Sequence, residues 1–268
     1  MDWQQHTFVF IGGLHRSGTT LLGRCMAEHP QVSGFSDTGA TEDEGQHLQT
    51  VYPAANEYGG PGRFGFDPDA RLTEDSPLVS AESRRRLLAE WGRHWDTSRP
   101  VLVEKSPPNL IRTRFLQALF PGSRMVVLIR HPIAVAGATR QFGRARRTWK
   151  RMSYTSLIEH WLRCHELLTE DARHIENLLV MRYEEFVFNP DRRLGDVFRF
   201  AGVEPLPSGL EVRGGINDGY FRRWTLARRT PGTGTDIATA VETLEDRVNR
   251  FGYSLKQPVL LTPLELTG

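Results

Sequence analysis

The sequence predicts an α/β protein in which a parallel sheet lies between helices on both faces, a three-layer α/β/α arrangement. Three observations lead there. Short runs of β-branched and aliphatic residues alternate with stretches whose apolar residues recur at helical spacing, the rhythm of repeated strand–helix–strand units. The later strand-like runs are apolar nearly throughout, as strands covered on both faces are. Directly after the first run, Gly13 to Thr20 nearly spells G-x-x-x-x-G-K-[ST], a phosphate-holding loop that joins a strand to a helix.

Each element has its own reason. Thr7 to Ile11 is rich in β-branched and aromatic residues and reads as the first strand, followed by a glycine-rich turn. Leu21, Leu22, Cys25 and Met26 recur at helical spacing until His29 and Pro30 end the pattern, so a helix begins near Thr19. Residues 31–80 are rich in Gly, Pro, Asp and Ser, with YGGPGRFGFDP at their centre, and they lack a sustained period. Such long irregular segments are usually functional or disordered. A charged helix is expected around Ala81 to Trp95, a short strand over VLVE, and a helix over KSPPNLIRTRFLQALFP with Pro107 or Pro108 in its first turn. RMVVLIRHP supplies a buried strand whose apolar run is closed by Arg130, and Pro132 to Arg140 starts the following helix. Tyr154, Leu157, Ile158, Trp161, Leu162 and Leu168 form one helical stripe, NLLVMRYEEF a fourth strand, and PDRRLGDVFRFAGV a further helix. Glycine and arginine then dominate until a helix near Asp236 to Phe251.

At 268 residues the chain can bury a full core, and one domain over 1–268 is expected, with no internal repeat or low-complexity linker. Apolar residues make up 39% and charged residues 25%, an ordinary globular composition, and no apolar run approaches the length that crosses a bilayer. Only a few polar residues precede FVFIGG, so no signal peptide or anchor is expected and the predicted setting is cytoplasmic. Cys25 and Cys164 fall on apolar helical faces, which fits buried reduced thiols better than a disulfide. The net charge of +2 hides positive clusters at Arg84 to Arg86 and Gly143 to Arg151 and an acidic one at Thr41 to Glu44. Solvated surface explains each; the run from Arg144 to Arg151 equally suits an anionic ligand, without demanding nucleic acid.

Within the loop, Gly13, Gly18 and Thr20 match the phosphate-binding pattern, but Thr19 stands where the lysine belongs. A P-loop-NTPase-like sheet is expected, with converging backbone N–H groups and a helix dipole aimed at an anion. In a nucleoside triphosphatase the lysine reaches the β and γ phosphates, and an acid at another strand end helps to hold magnesium. Here that strand end carries Arg130, which repels a metal and attracts a phosphate. The site suits a nucleotide that travels without magnesium and bears a second phosphate, the shape of 3'-phosphoadenosine 5'-phosphosulfate (PAPS). A sulfuryl group carries less charge than a terminal phosphoryl, so protein dipoles and cations can neutralise its transition state.

Four segments in order, HRSGTT, VEKSPPNLI, LIRHPIAVAGATR and VMRYEEFVFNP, together resemble the PAPS-dependent sulfotransferases, especially the tyrosylprotein and heparan sulfate type and their bacterial relatives. The resemblance implies PAPS as donor, PAP as product and no required metal. It puts His15, Arg16, Ser17, Gly18, Thr19 and Thr20 at the 5' end of the donor, with Arg16 as the loop's cation, Arg130 at the 3' phosphate, and Tyr183 near the adenine. Tyr183 equally fits an ordinary core tyrosine. The family usually places Ser eight residues after that arginine; this chain has Ala138, so Thr139, or Arg222 and Arg223 from GYFRRW, are the candidate substitutes. The two arginines also fit a solvated loop.

Transfer to a hydroxyl needs a general base within reach of the acceptor. In the resembled families it is a Glu shortly after the first helix, where this chain has TEDEGQHLQ. Glu44 is the first choice, then Glu42 and His47, against a plain acidic loop. Lys105 is placed to stabilise the bridging oxygen as it gains charge, or else forms a surface ion pair with Glu104. Ser106 either binds phosphate or caps the next helix. Ser17 lacks the G-x-S-x-G frame of a nucleophile elbow, and the nine histidines show no H-E-x-x-H pair, so neither a serine hydrolase nor a metal site is expected. The expected acceptor is a small-molecule or carbohydrate hydroxyl, with no nucleic-acid or membrane partner. The competing readings are a kinase with a degenerate loop, a non-catalytic sensor of PAP or PAPS, and polyanion binding through residues 144–151.

Overall fold

The structure is a computed structural model that describes residues 3–145 and 152–264, so most of the arginine-rich run 144–151 lies outside the described residues. Five strands, β1 (Thr7–Gly13), β2 (Val32–Ser33), β3 (Val101–Lys105), β4 (Arg124–Ile129) and β5 (Leu178–Arg182), form one parallel sheet in the order β2-β3-β1-β4-β5. Nine α-helices accompany it among the described residues: α1 (Thr19–Ala27), α2 (Ala81–Trp91), α3 (Thr113–Leu119), α4 (Pro132–Ala145), α5 (Tyr154–Ala172), α6 (Tyr183–Phe188), α7 (Pro190–Ala201), α8 (Ile216–Ala227) and α9 (Thr233–Asn249).

Strand alternation divides the core. Val9, Ile11, Val103, Val126 and Leu128 turn to one face and pack against Leu22, Cys25 and Met26 of α1 and Leu194, Val197 and Phe198 of α7. On the opposite face Phe8, Phe10, Leu102 and Met125 meet α2 and α3, while Val127 and Ile129 meet α4, α5 and α9. Both faces are covered, which is why the central strands carry continuous apolar runs. Cys25 and Cys164 are buried and free, as expected.

The sheet order positions the site. β1 is central, flanked by β3 and β4, with Ile11 opposite Lys105 and Gly13 opposite Leu128. The loop after β1 therefore leaves the sheet between Lys105 on one side and Arg130 on the other. Ligands in open parallel sheets bind outside the carboxyl ends of the strands, in the crevice where neighbouring connections diverge.

Several boundaries differ from the sequence expectation. Residues 31–80 contribute edge strand β2 and five 3₁₀ turns. Side-chain anchors hold them where no period exists. The buried Arg112 donates to the carbonyls of Ala70 and Pro53, Gln46 accepts from the Ala55 N–H, and Arg71 pairs with Asp171 at 2.5 Å. The first helix after that segment stops at Trp91 rather than Trp95. The segment from Pro107 is divided into a 3₁₀ turn, Pro107–Ile111, with the prolines at its start, and α3. β5 ends at Arg182, and YEEF, expected to continue the strand, begins α6 instead. Helix α8 was not anticipated: its one buried aromatic, Trp224, sits among glycines and arginines that obscure the apolar period.

Asp171, fully buried on α5, receives Arg71 from the irregular segment and Arg114 from α3, and Arg114 also pairs with Glu74. Removing one partner of such a pair leaves unpaired charge. Asp171→Ala is expected to lower unfolding stability by about 2 kcal/mol, discounted for the partial exposure of Arg71. An unchanged urea midpoint would show that the clamp does not hold residues 31–80.

Candidate active site

The loop between β1 and α1 owes its shape to backbone freedom at two positions. Gly18 caps α1 in a left-handed conformation (φ 97°), and a Cβ there would lie 2.6 Å from the Tyr183 ring. At Gly13, a Cβ would lie 2.5 Å from the Leu128 carbonyl oxygen. Arg16 also takes a left-handed φ of 74°, which few non-glycine residues adopt, and its guanidinium lies 3.9 Å from the centre of the Phe142 ring. Ser17 N–H donates to the Leu14 carbonyl at 2.9 Å. Burial, followed by the Arg16 charge, pushes the His15 pKa down to about 3, so its imidazole is neutral near pH 7.

Arg130 follows β4 and is 6% exposed. Its Nη1 donates to the Arg16 carbonyl at 2.7 Å and its Nε to Asn217 Oδ1 at 2.9 Å, while its guanidinium stacks 4.2 Å from the Tyr183 ring centre. The remaining Nη2 is buried without a hydrogen-bond partner, as are His15 Nδ1 and Ser17 Oγ beside it in the loop. Buried polar atoms left without partners beside a helix N-terminus, the Arg130 Nη2 donor among them, fit an anionic group, so the chain's residues are compatible with a phosphosulfate nucleotide there.

Across the loop, Lys105 Nζ donates to the Glu42 carbonyl at 2.7 Å and to Thr20 Oγ1 at 3.3 Å, and lies 3.6 Å from Glu44 Oε1. Burial lowers the Lys105 pKa, opposed first by Glu44 and then by Glu104. Burial also raises the Glu44 carboxyl, against the pull of Lys105. The other Glu44 oxygen accepts from Gln46 Nε2 and lies 3.8 Å from His47 Nε2. Burial lowers the His47 pKa, helped by Lys105. Glu44 is therefore a buried carboxyl with one oxygen engaged by an amide and the other beside a cation. Such a group can accept a proton at a pH above the ordinary carboxylate range.

A cleft of about 240 Å³ is lined by His15, Arg16, Gly18, Thr19, Thr20, Glu42, Glu44 and Arg130, joined by Pro107, Ala138 and Tyr220. Residues far apart in the chain thus share one cavity. Lys105 lies next door, lining a smaller recess with Thr20 and Glu42. Tyr183 lines a neighbouring groove of about 390 Å³ with His131, Asn217 and Phe221, on the other side of the Arg130 stack.

Four expectations need correction in their geometry. Ala138 lines the cleft while Thr139 donates to the Val135 carbonyl at 2.8 Å, so its hydroxyl is spent within its own helix. Arg222 and Arg223 are exposed on α8, with Arg223 5.6 Å from the Tyr220 ring centre, and neither lines the cleft. Lys105 is buried and pairs with Glu44 rather than with Glu104 at the surface. Ser106 stands at the N-cap of the following 3₁₀ turn, but its hydroxyl neither caps that turn nor lines the cleft: it donates to Glu104 and accepts from the Gln46 N–H.

Sequence reasoning missed Gln46, Glu104, Glu184, Asn217 and Tyr220. Glu104 is fully buried and accepts from Ser106 and Asn109, and burial pushes its pKa up to about 7 against those bonds. Only the E-K-S-P segment itself signalled it. Asn217 and Tyr220 had no such signal, because they sit on the unanticipated α8.

The sequence model of the Sulfotransferase family matches residues 9–207, and the chain belongs to that family. Protein-tyrosine sulfotransferase 2 of Gallus gallus is 25% identical over 199 residues, which cover 73% of this chain and 51% of the relative. The chain spans about half the length of the curated relatives it matches. Among solved structures, sulfotransferase STF1 of Mycobacterium tuberculosis H37Rv superposes with a TM-score of 0.52 at 14% identity, covering 88% of this chain and 77% of that one. Sulfotransferase STF9 of Mycobacterium avium gives 0.51 at 15%, covering 84% and 69%. The α/β fold with its P-loop-like parallel sheet is shared with both.

A carboxyl whose pKa is raised by folding binds protons more tightly in the folded state, so its contribution to stability falls as pH rises from the ordinary Glu range to about 7. Glu104→Gln keeps an uncharged group there. Its urea midpoint is expected to lose less between about pH 5 and about pH 7 than the parent's does. Equal pH dependence in both proteins would mean that Glu104 folds without a protonation penalty.

Proposed function

We propose that this protein is an enzyme that transfers the sulfuryl group of PAPS to a hydroxyl of a small-molecule or carbohydrate acceptor, releasing PAP. The observation that carries this reading is the shared cleft. It joins a phosphate-type loop without its lysine, a buried arginine with an open Nη2, and a buried carboxyl beside a lysine. The whole chain is read as one domain, with residues 31–80 and the stretch after Val203 supplying the acceptor walls. Two buried free thiols suit a reducing, cytoplasmic setting, and no described helix is long and apolar enough to cross a membrane.

PAPS supplies an activated sulfuryl group on a phosphate leaving group. The loop N–H groups and Arg16 hold its 5' end, and Arg130 Nη2 takes the 3' phosphate. The Arg130–Tyr183 stack leaves the neighbouring groove for the adenosine. Glu44 accepts the proton of the acceptor hydroxyl as the new S–O bond forms. Lys105, held beside Glu44 by Thr20 and the Glu42 carbonyl, offsets the charge that develops as the S–O bond to the leaving phosphate breaks. Glu42 lines the same cleft and is the next candidate base; His47 lies 3.8 Å from Glu44 and does not line it. The transfer requires no metal in this scheme, since Thr19 and Arg130 stand where a metal-dependent loop has lysine and acid.

Calorimetric titration with PAP and with ATP, each with and without magnesium, tests the donor site. Tight, magnesium-independent PAP binding and weak ATP binding are expected, and Arg130→Ala should weaken PAP at least about tenfold more than AMP, which lacks the 3' phosphate. Magnesium-dependent ATP binding indifferent to the 3' phosphate would transfer the assignment to a kinase.

Glu44→Gln should bind PAP within about twofold of the parent while transfer to a panel of sugar, phenol and tyrosine-peptide acceptors falls on the order of 10²-fold or more. Because burial raises Glu44 and the base must be ionised, kcat/KM should drop as pH falls through a value above the ordinary Glu range. An active Glu44→Gln protein moves the base to Glu42, and a protein that binds PAP but transfers to nothing is a sensor.

A further inference from the structure

We infer that Asn217 and Glu184 are positioning residues that aim Arg130 and thereby set the preference for a nucleotide with a 3' phosphate. The inference rests on the reading of Arg130 as the 3'-phosphate site and goes beyond it, since neither residue touches the cleft's reacting end. A guanidinium has a fixed fork of donors, so engaging two of its nitrogens fixes the direction of the third. Arg130 Nη1 is engaged by the Arg16 carbonyl and Nε by Asn217 Oδ1, which leaves Nη2 as the open donor. The Tyr183 ring, 4.2 Å away, holds the plane of the fork.

Asn217 is itself oriented. Its Nδ2 donates to Glu184 Oε1 at 2.7 Å, so its Oδ1 must face Arg130. Glu184 is pinned from three sides. The His131 N–H shares Oε1 at 3.0 Å, and Tyr253 OH donates to Oε2 at 3.0 Å. The chain Tyr253–Glu184–Asn217–Arg130 therefore joins the segment after α9, the start of α6, α8 and the end of β4. It also brings a carboxylate to a buried cation that would otherwise lack a compensating charge. Each member is a polar group that burial makes costly to leave unpaired, which gives the network one satisfied arrangement.

The measurement is the ratio of PAP affinity to AMP affinity, by calorimetry, in the parent, Asn217→Ala, Tyr253→Phe and Arg130→Ala, with thermal melts of each. Asn217→Ala is expected to reduce the ratio about tenfold, the loss that one charge-assisted hydrogen bond represents, with AMP affinity within about twofold. Tyr253→Phe should reduce it about threefold, since Glu184 keeps its other two donors. A purely structural role would weaken both nucleotides together and leave the ratio unchanged, which overturns the inference. If Asn217→Ala melts below the assay temperature, Tyr253→Phe decides on the same criterion. Loss of the ratio in Arg130→Ala alone overturns the positioning assignment and leaves the donor reading standing; an unchanged ratio in Arg130→Ala overturns both.

Discussion

The buried guanidinium of Arg130 is the constraint on which the rest of the site depends. A cation at 6% exposure is costly unless its charge is compensated and most of its donors are engaged. The Arg16 carbonyl and Asn217 engage two of its nitrogens, the Tyr183 ring lies against the guanidinium, and Glu184 stands behind Asn217, while Nη2 keeps no partner among the described residues; these groups come from the loop, α8 and α6. The same bonds tie the left-handed turn at Arg16 to the end of β4. A loop that would otherwise be a flexible glycine-rich connection is thereby fixed against the sheet.

The opposite flank follows the same rule with reversed roles. Lys105 ends β3 as Arg130 follows β4, and β1 runs between them. Here the compensating groups are Glu44 and, through the strand, Glu104. Both carboxyls are desolvated, so each is pushed toward its neutral form, and Lys105 is pushed the same way. Three partly destabilised charges that influence one another make a site whose protonation is sensitive to what enters it. Gln46 links the two carboxyls: its N–H reaches Ser106, which reaches Glu104, and its amide reaches Glu44.

How much was legible depended on whether the determining interactions were local. Gly13 to Thr20 could be read because a tight turn into a helix imposes its glycines within a few residues. Arg130 could be read because a charge closing an apolar strand run marks a strand end. Thr139 was misjudged by a single position: one residue along a helix is about 100° of rotation, enough to carry a side chain from the cleft to the core. Its hydroxyl bonds the preceding turn instead, an outlet that Thr uses readily. YEEF resembles strand because its aromatics follow directly on the apolar run Leu178 to Met181, yet the fold turns it into α6.

The sequence by itself determined the layered α/β plan, the loop at the sheet's carboxyl edge and the absence of a phosphate-loop lysine, because each is written in short-range periodicity or in a contiguous motif. Only the tertiary structure decided that Glu44 and Arg130 line one cleft, with Lys105 beside Glu44 at its edge, and that Ala138, not Thr139, faces it. It alone revealed Asn217 and Glu184, since hydrogen bonds spanning 33 and 87 positions leave no pattern in neighbouring residues. Long-range partners of a buried charge are chosen by where the chain returns, and that is settled by packing.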